Sequence, residues 1–161
     1  MADRLFVGVL GNPDAGKSRT WNTLFGRTVR TGDKTHKLKL RTGESVDVFL
    51  VSGSPEERRI YAGKILKNQT CRIVLCSMQY VPAVQDTLDY IFAEKFMIYL
   101  QWLNPGYSDP GETWDKLGIL NQVLAHDGVI AIRDGHHATK RVREIHDFIY
   151  GWAASRRLTY T

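Results

Sequence analysis

Two glycines, a lysine and a serine stand near the N-terminus at a spacing suited to phosphate groups. Gly11 and Gly16 are separated by four residues, and Lys17 and Ser18 follow directly. Glycines permit backbone turns that aim N–H groups at phosphate oxygens, the lysine adds positive charge, and the serine hydroxyl can bind a Mg²⁺ that bridges two phosphates. The residues predicted to bind the phosphates are Gly11, Asn12, Pro13, Asp14, Ala15, Gly16, Lys17, Ser18 and Arg19.

A strand before this segment and a helix after it are the elements that must position it. Residues 5–10 form a short apolar run that is typical of a buried parallel strand. Residues 17–25 carry Trp21, Leu24 and Phe25 at helical spacing, and Gly26 ends that pattern. A glycine-rich turn without a ligand is the alternative interpretation, and these two flanks favour the phosphate loop over it.

Length and composition predict one domain, 1–161, of ordinary globular type. Hydrophobic residues make up 43% of the 161-residue chain and charged residues 24%, and no linker-like stretch divides it. No apolar run approaches the roughly 20 residues that cross a bilayer, and the first residues lack a secretion signal. We therefore expect a cytoplasmic protein. The net charge of +5 is compatible with a nucleotide or nucleic acid partner and identifies neither.

The rest of the chain alternates between strand and helix patterns. A polar loop over 26–34 precedes two strands, 37–40 and 46–51, which a turn joins as an antiparallel hairpin. The later predicted helices are 55–66, 82–92, 112–126 and 139–157, and the later strands are 72–77, 97–103 and 129–132. This order predicts an α/β protein with a mostly parallel six-stranded sheet, one antiparallel edge hairpin and helices on both faces, in three layers.

The order of elements resembles the Ras-like G domain of the translation-factor-related GTPases over almost the whole chain. The segments 11–18 and 21–26 are most similar to the start of bacterial GTPases such as Era and FeoB. The resemblance implies a P-loop NTPase fold, binding of GTP or ATP with Mg²⁺, and slow hydrolysis in a molecular switch. It also implies a protein partner that contacts the loop 27–36 and the region 52–59.

The resemblance assigns roles to further residues. Lys17 would neutralise charge during catalysis, and Ser18 would bind Mg²⁺ together with a threonine of the loop after the first helix. Thr31 and Thr35 both lie in that loop, and the distance from Ser18 favours Thr35. Glu56 stands where the family has a catalytic glutamine, so it is predicted to orient water; a carboxylate that stabilises the first turn of a helix is the alternative.

Two family motifs are incomplete in this sequence. Ser52 stands where the family has an aspartate that holds Mg²⁺ through water. The base-recognition motif at 104–107 retains only Asn104, with Asp109 two residues beyond the expected acid, and the loop 133–136 takes the place of the last motif. Asn104 and Asp134 are therefore the residues predicted to lie at the base, and the choice between guanine and adenine stays open.

Two other functions remain as alternatives. Ser52 favours a pseudo-GTPase that serves as a protein-interaction module, and the phosphate loop alone is compatible with a nucleotide kinase, although no arginine-rich lid is evident. Arg58 and Arg59 could supply an arginine finger to the same site. Five residues form a basic lining of the last helix that could contact nucleic acid, and the stabilisation of cations near a helix C-terminus is the alternative explanation: Lys140, Arg141, Arg143, Arg156 and Arg157.

Overall fold

A computed structural model describes residues 3–29, 32–105, 107 and 114–161 of the chain. The strands in these ranges are β1 (Leu5–Gly11), β2 (Asp33–Lys39), β3 (Ser45–Val51), β4 (Ile73–Gln79), β5 (Met97–Leu103) and β6 (Val129–Arg133). The helices are α1 (Lys17–Phe25), α2 (Pro55–Arg58), α3 (Ala62–Leu66), α4 (Val84–Ala93), α5 (Ile119–Ala125) and α6 (Ala138–Ser155). No helix among these residues is long and apolar enough to cross a membrane.

The six strands form one sheet in the order β2-β3-β4-β1-β5-β6. All neighbouring pairs are parallel except β2 and β3, which are antiparallel. Successive side chains of a strand point to opposite faces, so Val7 belongs to a core that contains Trp21 of α1 and Ile145 of α6, whereas Phe6 belongs to a second core with Leu88 of α4. The predicted α/β fold with helices on both faces is thereby confirmed.

The central strand β1 is buried along its whole length, between β4 and β5. Its last residue, Gly11, pairs with Gln79 at the end of β4. The carboxyl ends of the parallel strands therefore share one edge of the sheet, and the loops that follow β1, β3, β4, β5 and β6 lie there. In sheets of this type ligands bind at this edge.

The predicted bounds of two helices were wrong. The helix predicted over 55–66 is two short helices, because Arg59 takes a left-handed conformation (φ 54) that ends α2. The helix predicted over 112–126 begins only at Ile119. Asp115 explains that start, because its carboxylate accepts hydrogen bonds from the Tyr80 hydroxyl and the Leu120 N–H and so fixes a turn before the helix. Residues 112 and 113 lie outside the described residues.

Candidate phosphate-binding site

The loop between β1 and α1 depends on glycine at two positions. Gly16 has a φ of 106, which side chains rarely tolerate, and a Cβ atom there would lie 2.8 Å from the Gly135 carbonyl oxygen. A Cβ atom on Gly11 would lie 2.7 Å from the Cβ of Ala15. Within the loop, the Ala15 N–H donates to the Asn12 carbonyl at 3.1 Å. These constraints produce a tight loop directly before the first turn of α1.

Lys17 folds back across this loop. Its ammonium group donates to the carbonyl oxygens of Gly11 at 3.0 Å and Asn12 at 3.4 Å, and the residue is only 9% exposed. The third acceptor is a carboxylate oxygen of Glu57, 3.0 Å away. Glu57 therefore supplies the negative charge beside Lys17 in this conformation.

The other loop residues surround this lysine. Pro13, Asp14, Ser18 and Arg19 are exposed, and Ala15 is buried. Ser18 lies in the first turn of α1, where unpaired N–H groups and the helix dipole favour an anion. The nine residues predicted to bind phosphates are consecutive in sequence and form the end of β1, the loop and the first turn of α1, where the Ser18 side chain is accessible to solvent.

Glu56 and Glu57, which are neighbours in α2, contact different parts of the protein. Ser54 caps the helix by accepting a hydrogen bond from the Glu57 N–H, and this sets the direction of the first turn. Glu56 then points toward β4 and α4, where its carboxylate accepts bonds from the Gln79 N–H and the Thr87 hydroxyl, both at 2.7 Å. Burial raises the pKa of the Glu56 carboxyl.

These contacts give Glu56 a structural role and make Glu57 the carboxylate nearest to the loop lysine. Residues one apart in a helix are rotated by about 100° from each other, so only one of the pair can face Lys17. The sequence pattern suggested either glutamate as the functional carboxylate, of which Glu56 was preferred, and it gave no sign of the contact between Glu57 and Lys17. The serine cap at Ser54 is the signal that fixes the rotation, but the sequence does not reveal which direction the helix takes from the sheet.

An ion pair joins the two regions that were predicted to contact a partner. Arg58 of α2 donates to both carboxylate oxygens of Asp33, at 2.7 and 3.0 Å, at the start of β2. This bidentate pair occupies Arg58, which was considered as an arginine finger. It also ties the region 52–59 to the segment 27–36, so a displacement of α2 would act directly on β2.

The structure does not bring Thr35 to Ser18. Thr35 is an exposed residue inside β2, paired with Phe49 of β3. Its hydroxyl lies 3.8 Å from the sulfur of Cys71, which precedes β4 and so lies toward the edge of the sheet opposite the phosphate loop. The predicted loop over 26–34 is shorter than expected because β2 begins at Asp33. Thr31, the other candidate, lies outside the described residues.

Asn104 and Asp134 lie at the ends of β5 and β6, beside the phosphate loop. The Asn104 amide donates to the Ala15 carbonyl at 3.3 Å and its oxygen accepts the Gly135 N–H at 2.6 Å, so this buried side chain connects two loops. Asp134 accepts the His136 N–H at 2.9 Å and lines a cleft of about 400 Å³ together with Tyr107. Asp109 lies outside the described residues.

Arg141 was predicted to belong to a basic lining that could contact nucleic acid, and this prediction is wrong because the residue is buried. It is 1% exposed and donates to the Thr20 hydroxyl at 2.6 Å and to the Gly16 carbonyl at 3.2 Å. The signal was present in the sequence, because Arg141 lies four residues before Ile145 and therefore on the apolar face of α6. The charge of the side chain obscured that periodicity.

Comparisons with known proteins identify no family. No protein-family model matches the chain, and no curated protein is significantly similar in sequence. Among solved structures, the translation elongation factor SelB of Methanococcus maripaludis in complex with the GTP analogue GppNHp is similar, with a TM-score of 0.49 and 12% sequence identity. That match covers 92% of this chain and 33% of the SelB chain, so this chain spans about a third of it. Similarity at this level does not assign a function.

Proposed function

We propose that this protein binds a nucleoside triphosphate, GTP or ATP, together with Mg²⁺ and acts as a GTPase-like molecular switch. The observation that carries the proposal is Lys17, whose ammonium group is bound to the Gly11 and Asn12 carbonyls at the mouth of a glycine-constrained loop. The N–H groups of residues 14 and 16–18 would donate to phosphate oxygens there, and the start of α1 would favour their negative charge.

The residues at the site fit a Mg²⁺ that is held mainly by phosphates. Ser18 offers an exposed hydroxyl directly after Lys17. Ser52, which follows β3, has a buried hydroxyl with no hydrogen-bond partner among the described residues. The described residues contain no cluster of three or more His, Cys, Asp or Glu side chains that could hold a metal unaided. When bound, Mg²⁺ would neutralise charge on the phosphates.

The switch would operate through α2. A phosphate that binds Lys17 competes with the Glu57 carboxylate, and Glu57 belongs to the same short helix as Arg58. Because Arg58 is bound to Asp33, a shift of α2 that accompanies the release of Glu57 would be transmitted to β2. A protein partner that contacts the segments 27–36 and 52–59 would then distinguish the two conformations.

The same contacts predict slow hydrolysis. Lys17 would stabilise the charge that develops on the transferred phosphoryl group. Glu56, the predicted water-orienting residue, already accepts hydrogen bonds with both oxygens from Gln79 and Thr87. It could contact an attacking water only after α2 moves, so turnover without a partner would be low.

The base would lie beside the loops that contain Asn104 and Asp134. Asn104 uses its amide within the protein, which leaves Asp134 as the proposed acceptor for an amine of the base. One oxygen of Asp134 is 3.4 Å from the exposed ring of His137 and remains accessible from the cleft beside Tyr107. An adenine amine and a guanine amine both suit such an acceptor, so the proposal covers GTP and ATP.

Calorimetric titration with GTP, ATP and their diphosphates in the presence of Mg²⁺ tests the proposal, followed by measurement of phosphate release. Binding with slow release supports the switch, and the tighter of the two triphosphates gives the base specificity. Binding without release supports the second candidate function, a non-catalytic interaction module, which Ser52 in place of a carboxylate favours. Failure to bind any of these nucleotides contradicts both functions.

A further inference from the structure

A guanidinium group is buried directly behind the phosphate loop. Arg141, in the first turn of α6, donates to the Thr20 hydroxyl at 2.6 Å and to the carbonyl oxygens of Gly16 at 3.2 Å and Gly135 at 3.4 Å. Its Nε atom has no hydrogen-bond partner among the described residues. All of these acceptors are uncharged, and no described carboxylate forms an ion pair with Arg141. A buried charge without a counter-charge is energetically unfavourable.

Arg141 lies where the backbone of the loop before α6 packs against the backbone of the loop before α1. A Cβ atom on Gly135 would lie 2.0 Å from the Ala15 carbonyl oxygen, so the loop before α6 packs directly on the phosphate loop. Arg141 binds the carbonyl groups on both sides of this contact, at Gly16 and Gly135. The guanidinium therefore contacts Gly16, the residue whose left-handed conformation turns the chain into α1.

The electrostatic surroundings leave the charge of Arg141 largely uncompensated. Burial, and to a lesser degree the positive charge of Arg19, lower the pKa of Arg141 to about 10, although Asp134 acts in the opposite direction from beyond ion-pair distance. At neutral pH the guanidinium is still protonated. An anion bound at residues 11–18 would bring negative charge close to this group, in an environment where solvent screens little.

We propose that Arg141 is a positioning residue of the phosphate site, which fixes Gly16 in its binding conformation and supplies a buried positive charge that a bound polyphosphate balances. This inference rests on the proposed function. A charge effect grows with the charge of the ligand, so a triphosphate gains more from Arg141 than a diphosphate does. A purely structural role of Arg141 would affect both ligands equally.

The test compares Arg141→Met, Arg141→Lys and, as a matched control, Arg143→Met, which removes an exposed arginine two residues away on the same helix. Binding of Mg·GTP, Mg·GDP, Mg·ATP and Mg·ADP is measured by calorimetry, and circular dichroism checks folding. We expect Arg141→Met to weaken triphosphate binding about tenfold or more, and diphosphate binding by a smaller factor. Arg141→Lys should recover part of the loss, and Arg143→Met should bind as the unmodified protein does.

The outcomes separate this inference from the proposed function. If the unmodified protein binds nucleotide and Arg141→Met binds equally well, the inference is overturned and the proposed function stands. Equal losses for triphosphates and diphosphates, without recovery in Arg141→Lys, also overturn it, since they indicate only a structural anchor. If the unmodified protein binds no nucleotide, both fail. Should Arg141→Met not fold, Arg141→Gln, which retains hydrogen-bond donors without charge, replaces it in the same comparison.

Discussion

Glu57→Gln is expected to strengthen triphosphate binding. Glu57 Oε1 lies 3.0 Å from the Lys17 ammonium nitrogen, so a phosphate that contacts Lys17 must first displace this carboxylate. Glutamine has nearly the same shape and keeps a carbonyl oxygen, but it carries no charge. The substitution therefore removes the ionic competitor and leaves the helix cap at Ser54, which binds the backbone of residue 57, in place.

The expected gain in triphosphate affinity depends on how strongly solvent screens the Lys17–Glu57 ion pair. Two unit charges 3.0 Å apart attract by about 5 kcal/mol at an effective dielectric constant near 20. The Glu57 side chain is 44% exposed, however, and solvent screening with loss of side-chain entropy reduces such pairs to at most about 1 kcal/mol. Removing that competition corresponds to an increase of about fivefold in triphosphate affinity.

The assay is calorimetric titration of Mg·GTP and Mg·ATP into the unmodified protein, Glu57→Gln and a control, Glu44→Gln, which alters a half-buried glutamate in the β2–β3 turn. The gain in Glu57→Gln should shrink in concentrated salt, because an exposed ion pair is already screened there. Unchanged or weaker binding by Glu57→Gln, with Glu44→Gln like the unmodified protein, would show that Glu57 does not compete with phosphate and would refute the proposed route from Lys17 to α2.

Two further predictions concern stability and are checked by denaturant unfolding. Glu56→Ala is expected to lower the free energy of unfolding by about 2 kcal/mol at pH 5, because Gln79 and Thr87 lose a buried acceptor. Burial raises the pKa of the Glu56 carboxyl, so between about pH 4.5 and that raised pKa the folded protein keeps a proton that the unfolded chain has lost. The stability that Glu56 contributes therefore falls as the pH rises through this range, and the loss caused by Glu56→Ala should become smaller. A loss of stability that grows with pH would contradict this prediction. Gly151→Ala should raise the free energy of unfolding by about 0.5 to 1 kcal/mol, because an added Cβ meets no atom within 4 Å inside α6; a decrease would contradict this.

The sequence predicts the fold well because local patterns and global topology agree here. Short apolar runs bounded by turn residues mark the strands, and the alternation with helices requires parallel connections. The loop between β1 and α1 is predictable for a similar reason: Gly11 and Gly16 impose backbone turns, and the strand and helix that flank them are strongly patterned. The helix boundary at Ile119 was not predictable, because it depends on the side chain of Asp115, which meets Tyr80 from a distant part of the chain.

The contacts that define the site depended on tertiary structure. Glu56 and Glu57 are identical residues side by side, and only the packing of α2 against β4 and α4 determines which of them reaches Lys17. Arg141 is a charged residue at a core position, and its partners Thr20 and Gly16 are more than a hundred residues away in sequence. Interactions between distant segments of this kind do not appear in local periodicity.

The most direct test of nucleotide binding is to titrate Mg·GTP and Mg·ATP into the unmodified protein and into Lys17→Ala. Lys64→Ala, which removes an exposed lysine of α3, is the matched control. The loss of a charged hydrogen-bond donor at the phosphates predicts that Lys17→Ala binds the preferred triphosphate about 100-fold more weakly, whereas Lys64→Ala binds it normally and all three proteins remain folded. Equal affinity in the unmodified protein and Lys17→Ala would contradict the assignment of the phosphate site.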